Sequence, residues 1–357
     1  MWILTNQTDF SAESIWTRDE RGAEFWMVAI KACFEIDEDG RQRVAEVQTP
    51  VHYVPEFAGD PLCSGLVHEG DFALWKAGTD VLVTGHAHAP EGRAVERIGI
   101  RLKLADIDKR LIVLGERQIY EGAVGLGLTA PYPFVKMPVV WERTYGGWDR
   151  TGERETWDEA NPAGCGFARA GTHLVGTQAP NIEYPDAPYG GAGSGRAAGL
   201  GALAHHWSAR AKYAGTYDAA WEKTRNPLLP ADFDRRYWRA APEDQQTKAP
   251  LIGYEQVALG GMTPEGVWSL ILPRLKFDVI SRFKGGADVR QAPAIHTLKL
   301  CPDERRFEIV YQTALEVPPG REEKLAETVV RLNPRLGVPD AVRRAGVWTG
   351  QELARAG

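Results

Sequence analysis

Apolar and polar positions alternate every second residue near both ends of the chain and lose that rhythm in the middle. The run FWMVAIKACFEI, residues 25 to 36, reads as a strand, and Asp39-Gly40 after it is a hairpin turn signal because glycine tolerates the positive φ of primed turns. Ile98, Ile100, Leu102 and Leu104 alternate with Gly99, Arg101 and Lys103, so one face is apolar and the other wet. The polar stretch Asp106 to Arg110 turns the chain into LIVLGERQIY, which completes an antiparallel hairpin. A second alternating block starts near residue 251, with Trp268, Leu270 and Leu272 after the turn MTPEG, and Phe307, Ile309, Tyr311, Thr313 and Leu315 after CPDERR.

These patterns predict a mainly β protein, with antiparallel sandwich-like or barrel-like blocks at residues 1–125 and 251–320. Residues 126–250 form a long loop-rich segment, dense in aromatic and arginine side chains, packed on the β core. Within it, GGAGSGRAAGLGA (190–202) lacks core-filling side chains and reads as a mobile surface loop. Residues 321–357 predict short C-terminal helices. There, REEKLAETVVRL spaces Leu325, Val329 and Leu332 for an amphipathic turn, Asn333-Pro334 stops it, and Thr349 to Glu352 has capping-box spacing.

The formal net charge of −6 is spread without any basic block, which argues against a nucleic-acid partner. The N-terminus has no basic leader and no later stretch approaches ~18 uninterrupted apolar residues, so neither export nor a membrane span is expected. The four cysteines, Cys33, Cys63, Cys165 and Cys301, form no close pair, which suits reduced thiols in a cytoplasmic protein rather than a zinc or redox motif.

Candidate chemistry is sparse. His86 and His88, one residue apart in GHAHAP, share a strand face and could chelate one ion in the manner of a metal-dependent cupin. A third donor would have to come from His52, His68, His173, His205, His206, His296 or a carboxylate. The cupin spacing itself is missing, since seven residues lie between Gly78 and His86 and none between Gly85 and His86. No GxSxG elbow occurs, and the glycine-rich loop lacks the GK[ST] of a phosphate cradle. Asp232 and Asp234 lie beside Arg235 and Arg236, whose charges hold both carboxylates ionised, so salt bridges and turns are the expected role. The aromatic and arginine residues of the middle segment are the stronger signal. Amphipathic rings without long elements to pack on either make satellite cores or anchor a protein interface. Arg143, Tyr145, Trp148, Trp207, Arg210, Tyr217, Trp221, Asp232, Asp234, Arg235, Tyr237 and Trp238 are the partner-binding candidates. Gly146, Gly147, Asn161 and Gly164 suit tight loops instead.

Several longer phrases occur in order: DFALWKAGTDVLVTGHAHAP (71–90), GERQIY (115–120), PFVKMPVVWERTYGGWD (133–149), NPAGCGF (161–167), APNIEYP (179–185), HHWSARAKYAGTYDAAWEKTRNPLLPADFDRRYWRAAPEDQQ (205–246) and GYEQVALGGMTPEG (253–266). Through them the chain, over about residues 1–275, resembles a domain-of-unknown-function family from bacterial type VI secretion loci whose members are adaptors or chaperones for toxic effectors. The sequence departs from the family pattern at Ala179, where a leucine is usual, and at Tyr254, where a small residue is usual. The resemblance implies a non-enzymatic cytoplasmic adaptor without cofactor. It would hold a cognate toxic effector and help load it onto the VgrG spike, with a PAAR tip protein as a further partner. In that family the strand end written here GHAHAP requires neither histidine. Two alternatives stand beside this expectation: a metal-dependent cupin-like enzyme using His86 and His88, and a carbohydrate-binding β-sandwich stacking sugars on Trp207 or Trp221.

Overall fold

The computed structural model describes residues 2–190 and 195–333. Fourteen strands carry the framework: β1 (Ile3–Asn6), β2 (Ser11–Arg18), β3 (Glu24–Ile36), β4 (Asp80–Val83), β5 (Arg97–Leu104), β6 (Ile107–Leu114), β7 (Ile182–Glu183), β8 (Gln256–Gly260), β9 (Val267–Ile271), β10 (Phe277–Phe283), β11 (Val289–Gln291), β12 (Ala294–Cys301), β13 (Arg306–Val317) and β14 (Leu325–Leu332). They form three sheets. The first runs β2-β3-β13-β12-β4, with Gln42–Val44 also paired to β3; the second runs β7-β6-β5-β8-β9, and the third β1-β14-β10-β11. Pairing is antiparallel except between β1 and β14 and between β12 and β4. No barrel closes among the described residues. No helix among them is long and apolar enough to cross a membrane.

One continuous core joins the three sheets. Trp26, Val28, Ile30, Ala32 and Phe34 of β3 meet Phe307, Ile309 and Tyr311 of β13, Ile98, Ile100, Leu102 and Leu104 of β5, Val257 and Leu259 of β8, and Phe277 and Val279 of β10. Each such large side chain withdrawn from water contributes about 2 kcal/mol. The intervening residues of β3, Met27, Ala29, Lys31 and Cys33, are buried on the other face as well. A strand covered on both sides has no wet face to alternate with, which is why residues 25–36 read as an unbroken apolar run.

The two alternating blocks of the sequence share their sheets. β3 pairs with β13 from Glu24↔Val317 to Glu35↔Arg306, and β5 pairs with β8 from Leu104↔Val257 to Arg101↔Gly260. The β5–β6 hairpin turns tightly at Ala105 and Asp106, with Leu104 opposite Ile107.

Two local expectations are corrected. Residues 325–332 form strand β14 rather than a helix, docked between β1 and β10 so that both edges of its backbone find ladder partners. Thr328, Val329 and Val330 are buried there, and β-branched residues suit a pleated surface better than a helix. Trp26 Nε1 donates to Thr328 Oγ1 at 2.9 Å across the layers. The capping-box spacing at 349–352 lies outside the described residues. Nor is the end of the glycine-rich stretch a surface loop: Ala198, Leu200 and Ala202 are buried, and Leu200 O accepts from Val83 N and Gln245 Nε2. A Cβ on Gly199 would stand 2.8 Å from the Trp141 ring, so the lack of side chains here serves close packing.

Candidate functional site

The middle segment is moored by buried polar contacts before it offers anything to the surface. Asn161 Nδ2 donates to Trp141 O, Thr144 Oγ1 and Tyr145 O, closing a knot in which Gly146, Gly147 and Gly164 approach other backbone too closely for a side chain. Trp141 and Trp207 meet edge to face at 5.5 Å. Arg210 donates to Leu203 O, Tyr237 O and the Glu69 carboxylate.

This mooring sorts the sequence candidates. Trp207 (0% exposed), Arg210 and Tyr145 are buried in the interior. There Trp207 cannot stack a sugar. Arg143 is half-buried and donates to Glu116 and Asn181. Asp232 accepts from Thr216 N and Oγ1, which holds its carboxyl below the usual range. Asp234 caps the 3-10 turn Arg235–Trp238 and pairs with Arg236, with the same effect. Arg235 bridges to Glu20 at 2.9 Å and ties the segment to the turn after β2. Trp148 packs on Trp157 at 4.6 Å.

Four candidates remain at the surface together. Tyr217 is 54% exposed and packs against Trp221 at 4.7 Å. Trp221 lies on the short helix Ala219–Thr224, which starts where Asp218 accepts from the Trp221 backbone N–H. Its indole N–H donates to Leu228 O, so the ring is fixed. Tyr237 and Trp238 contact each other at 5.8 Å over buried Phe233, and the Arg236 guanidinium lies 4.3 Å from the Tyr213 ring. The result is a half-exposed ring surface whose supporting side chains are locked. Such rings lose little entropy on contact, and their hydroxyl and indole groups allow polar recognition at the rim.

The histidine pair is engaged elsewhere. His86 Nδ1 lies 2.5 Å from one oxygen of Asp303 and His88 Nε2 2.7 Å from the other, with the ring centroids 6.4 Å apart. One carboxylate thus bridges both imidazoles, with Lys136 3.7 Å away. Another group was not evident from spacing. His52, Glu56 and His68 are the one His/Cys/carboxylate trio among the described residues whose donor atoms all lie within 4.8 Å of one another. Four and then twelve residues separate them, and no short motif marks that pattern.

Two concavities lie among the described residues. One, of about 490 Å³, is lined by His68, Lys299, Cys301, Arg306 and Glu308 with Val67 and Val140 at its side. The other, of about 460 Å³, holds Trp148, Asp149, Cys165 and His173, with His173 Nδ1 2.9 Å from Asp149. Burial pushes the Cys165 thiol up to about 12 and the Cys301 thiol up to about 11, so neither is a ready nucleophile at neutral pH.

Compared with known families, residues 21–312 match DUF2169, described as an uncharacterized protein conserved in bacteria. No curated protein and no solved structure matches the chain.

Proposed function

The chain belongs to the DUF2169 family of bacterial proteins, and we propose that it is a non-enzymatic adaptor that holds a toxic effector of a type VI secretion system and helps load it onto the VgrG spike, with or without a PAAR protein. The observation that carries this reading is the rigidly backed ring surface of Tyr213, Tyr217, Trp221, Tyr237 and Trp238. Interface energy concentrates in a few tyrosine, tryptophan and arginine anchors, and anchors held in place before binding forfeit less entropy. The type VI assignment rests on the ordered phrases of the sequence. The enzyme alternative draws less support, because His86 and His88 are both occupied by Asp303. The sugar-binding alternative loses Trp207 to the interior.

The test is co-expression of the full chain with the toxin encoded beside it. Wild type co-purifies with the toxin, and the double variant Tyr217→Ala, Trp221→Ala lowers recovery at least about tenfold, in keeping with the loss of two anchors. Absence of a complex with wild-type protein sinks the proposal.

A further inference from the structure

A small ribbon pairs Glu56–Phe57 with Leu66–His68 and sets Glu56 directly across from His68. The loop before it lays His52 on His68, with centroids 4.3 Å apart and planes 23° apart. Each of the three offers one donor atom within 4.8 Å of the others. Two imidazoles and a carboxylate make the donor set that holds zinc with a fourth position open. We propose that His52, Glu56 and His68 form a binding site for a divalent transition-metal ion, zinc being the fitting one.

The surroundings bear on this. Behind His52 stands Asp71, whose carboxylate lies 3.7 Å from His52 Nδ1 and accepts the His52 backbone N–H at 2.8 Å. A carboxylate behind a ligating imidazole orients the ring and raises its basicity.

Two ammonium groups act as latches. Lys31 Nζ lies 3.0 Å from His52 Nδ1, and Lys299 Nζ lies 3.0 Å from His68 Nδ1. An ammonium that donates to Nδ1 leaves the ring proton on Nε2, whereas an ion on Nε2 needs that proton moved to Nδ1. Both lysines have other acceptors to turn to: Asp71 at 3.0 Å and Glu308 at 3.6 Å for Lys31, Val67 O at 3.2 Å for Lys299. The ion therefore competes with the lysines, and removing one of them strengthens its binding. That sets this site apart from histidines that merely collect metal at a surface. It does not depend on the adaptor reading.

Isothermal titration of the chelator-treated full chain with zinc chloride, backed by the visible bands of Co2+, provides the test. One equivalent binds to wild type. Affinity falls at least about tenfold in His68→Ala and in the exposed-position variant Glu56→Gln, and rises about tenfold in Lys299→Met, the scale on which groups behind a ligand act. Circular dichroism checks that each variant is folded, and Glu56→Gln keeps the test alive should His68→Ala not fold. No binding by either wild type or Lys299→Met overturns the proposal. So does binding that survives Glu56→Gln and is lost in His86→Ala, which places the ion at the other histidine pair.

Discussion

At the scale of single residues, the most consequential are buried polar groups with several partners. Asn161→Ala removes the amide that donates to Trp141 O, Thr144 Oγ1 and Tyr145 O inside the glycine knot and is expected to cost about 3 kcal/mol in urea unfolding. A loss under about 1 kcal/mol would mean that the knot does not depend on it. Gly146→Ala is harsher, because φ is +145° and the new Cβ would stand 2.1 Å from Asn161 O; no folded protein is expected from expression. Two histidines set an acid limit. Burial foremost pushes His68 and His296 down to about 4, below the ordinary value near 6.5. Between those pH values the unfolded chain binds protons that the folded chain refuses, so stability is present above pH 6.5 and falls as pH drops toward 4. Stability measured across that window should fall less steeply in His296→Leu than in wild type; equal slopes would contradict the assignment. Some of this was legible in the sequence. Gly146, Gly147, Asn161 and Gly164 read as tight-loop residues from chemistry alone, and they are. Tyr254, where the family usually has a small residue, sits at φ +76°, a backbone region that disfavours bulky side chains. What could not be read was which rings are interred, since Trp207 and Trp221 look alike in a string, and only packing by residues far along the chain separates them.

At the scale of elements, alternation was a sound guide wherever one face of a strand is wet, as in β5. It misled where a segment docks between two others. Leu325, Val329 and Leu332 have helical spacing, yet β14 is a central strand, because neighbouring β1 and β10 offer hydrogen bonds on both sides. Val329→Pro tests this placement in the sheet interior. In a central strand it removes a ladder bond and forces a clash, so loss of soluble protein, or at least about 3 kcal/mol, is expected. Near-wild-type stability would contradict the placement. The trio His52, Glu56 and His68 was illegible for a related reason: it depends on a two-residue ribbon whose pairing leaves no periodic trace.

At the scale of the whole molecule, a single core cluster joins all three sheets, so the described framework should unfold in one cooperative transition. Far-ultraviolet circular dichroism and tryptophan fluorescence ought to give coincident midpoints in urea; separate midpoints would show that the sheets melt independently. The pairing of β3 with β13 joins residues about 270 to 290 positions apart. A ribosome adding roughly 5–20 residues per second leaves β3 without that neighbour for some 15–60 s of translation. For that interval the emerging polypeptide shows the interior side of its longest strand to the cytosol. A protein proposed to shelter another chain thus has, while it is being made, an apolar surface of its own to shelter.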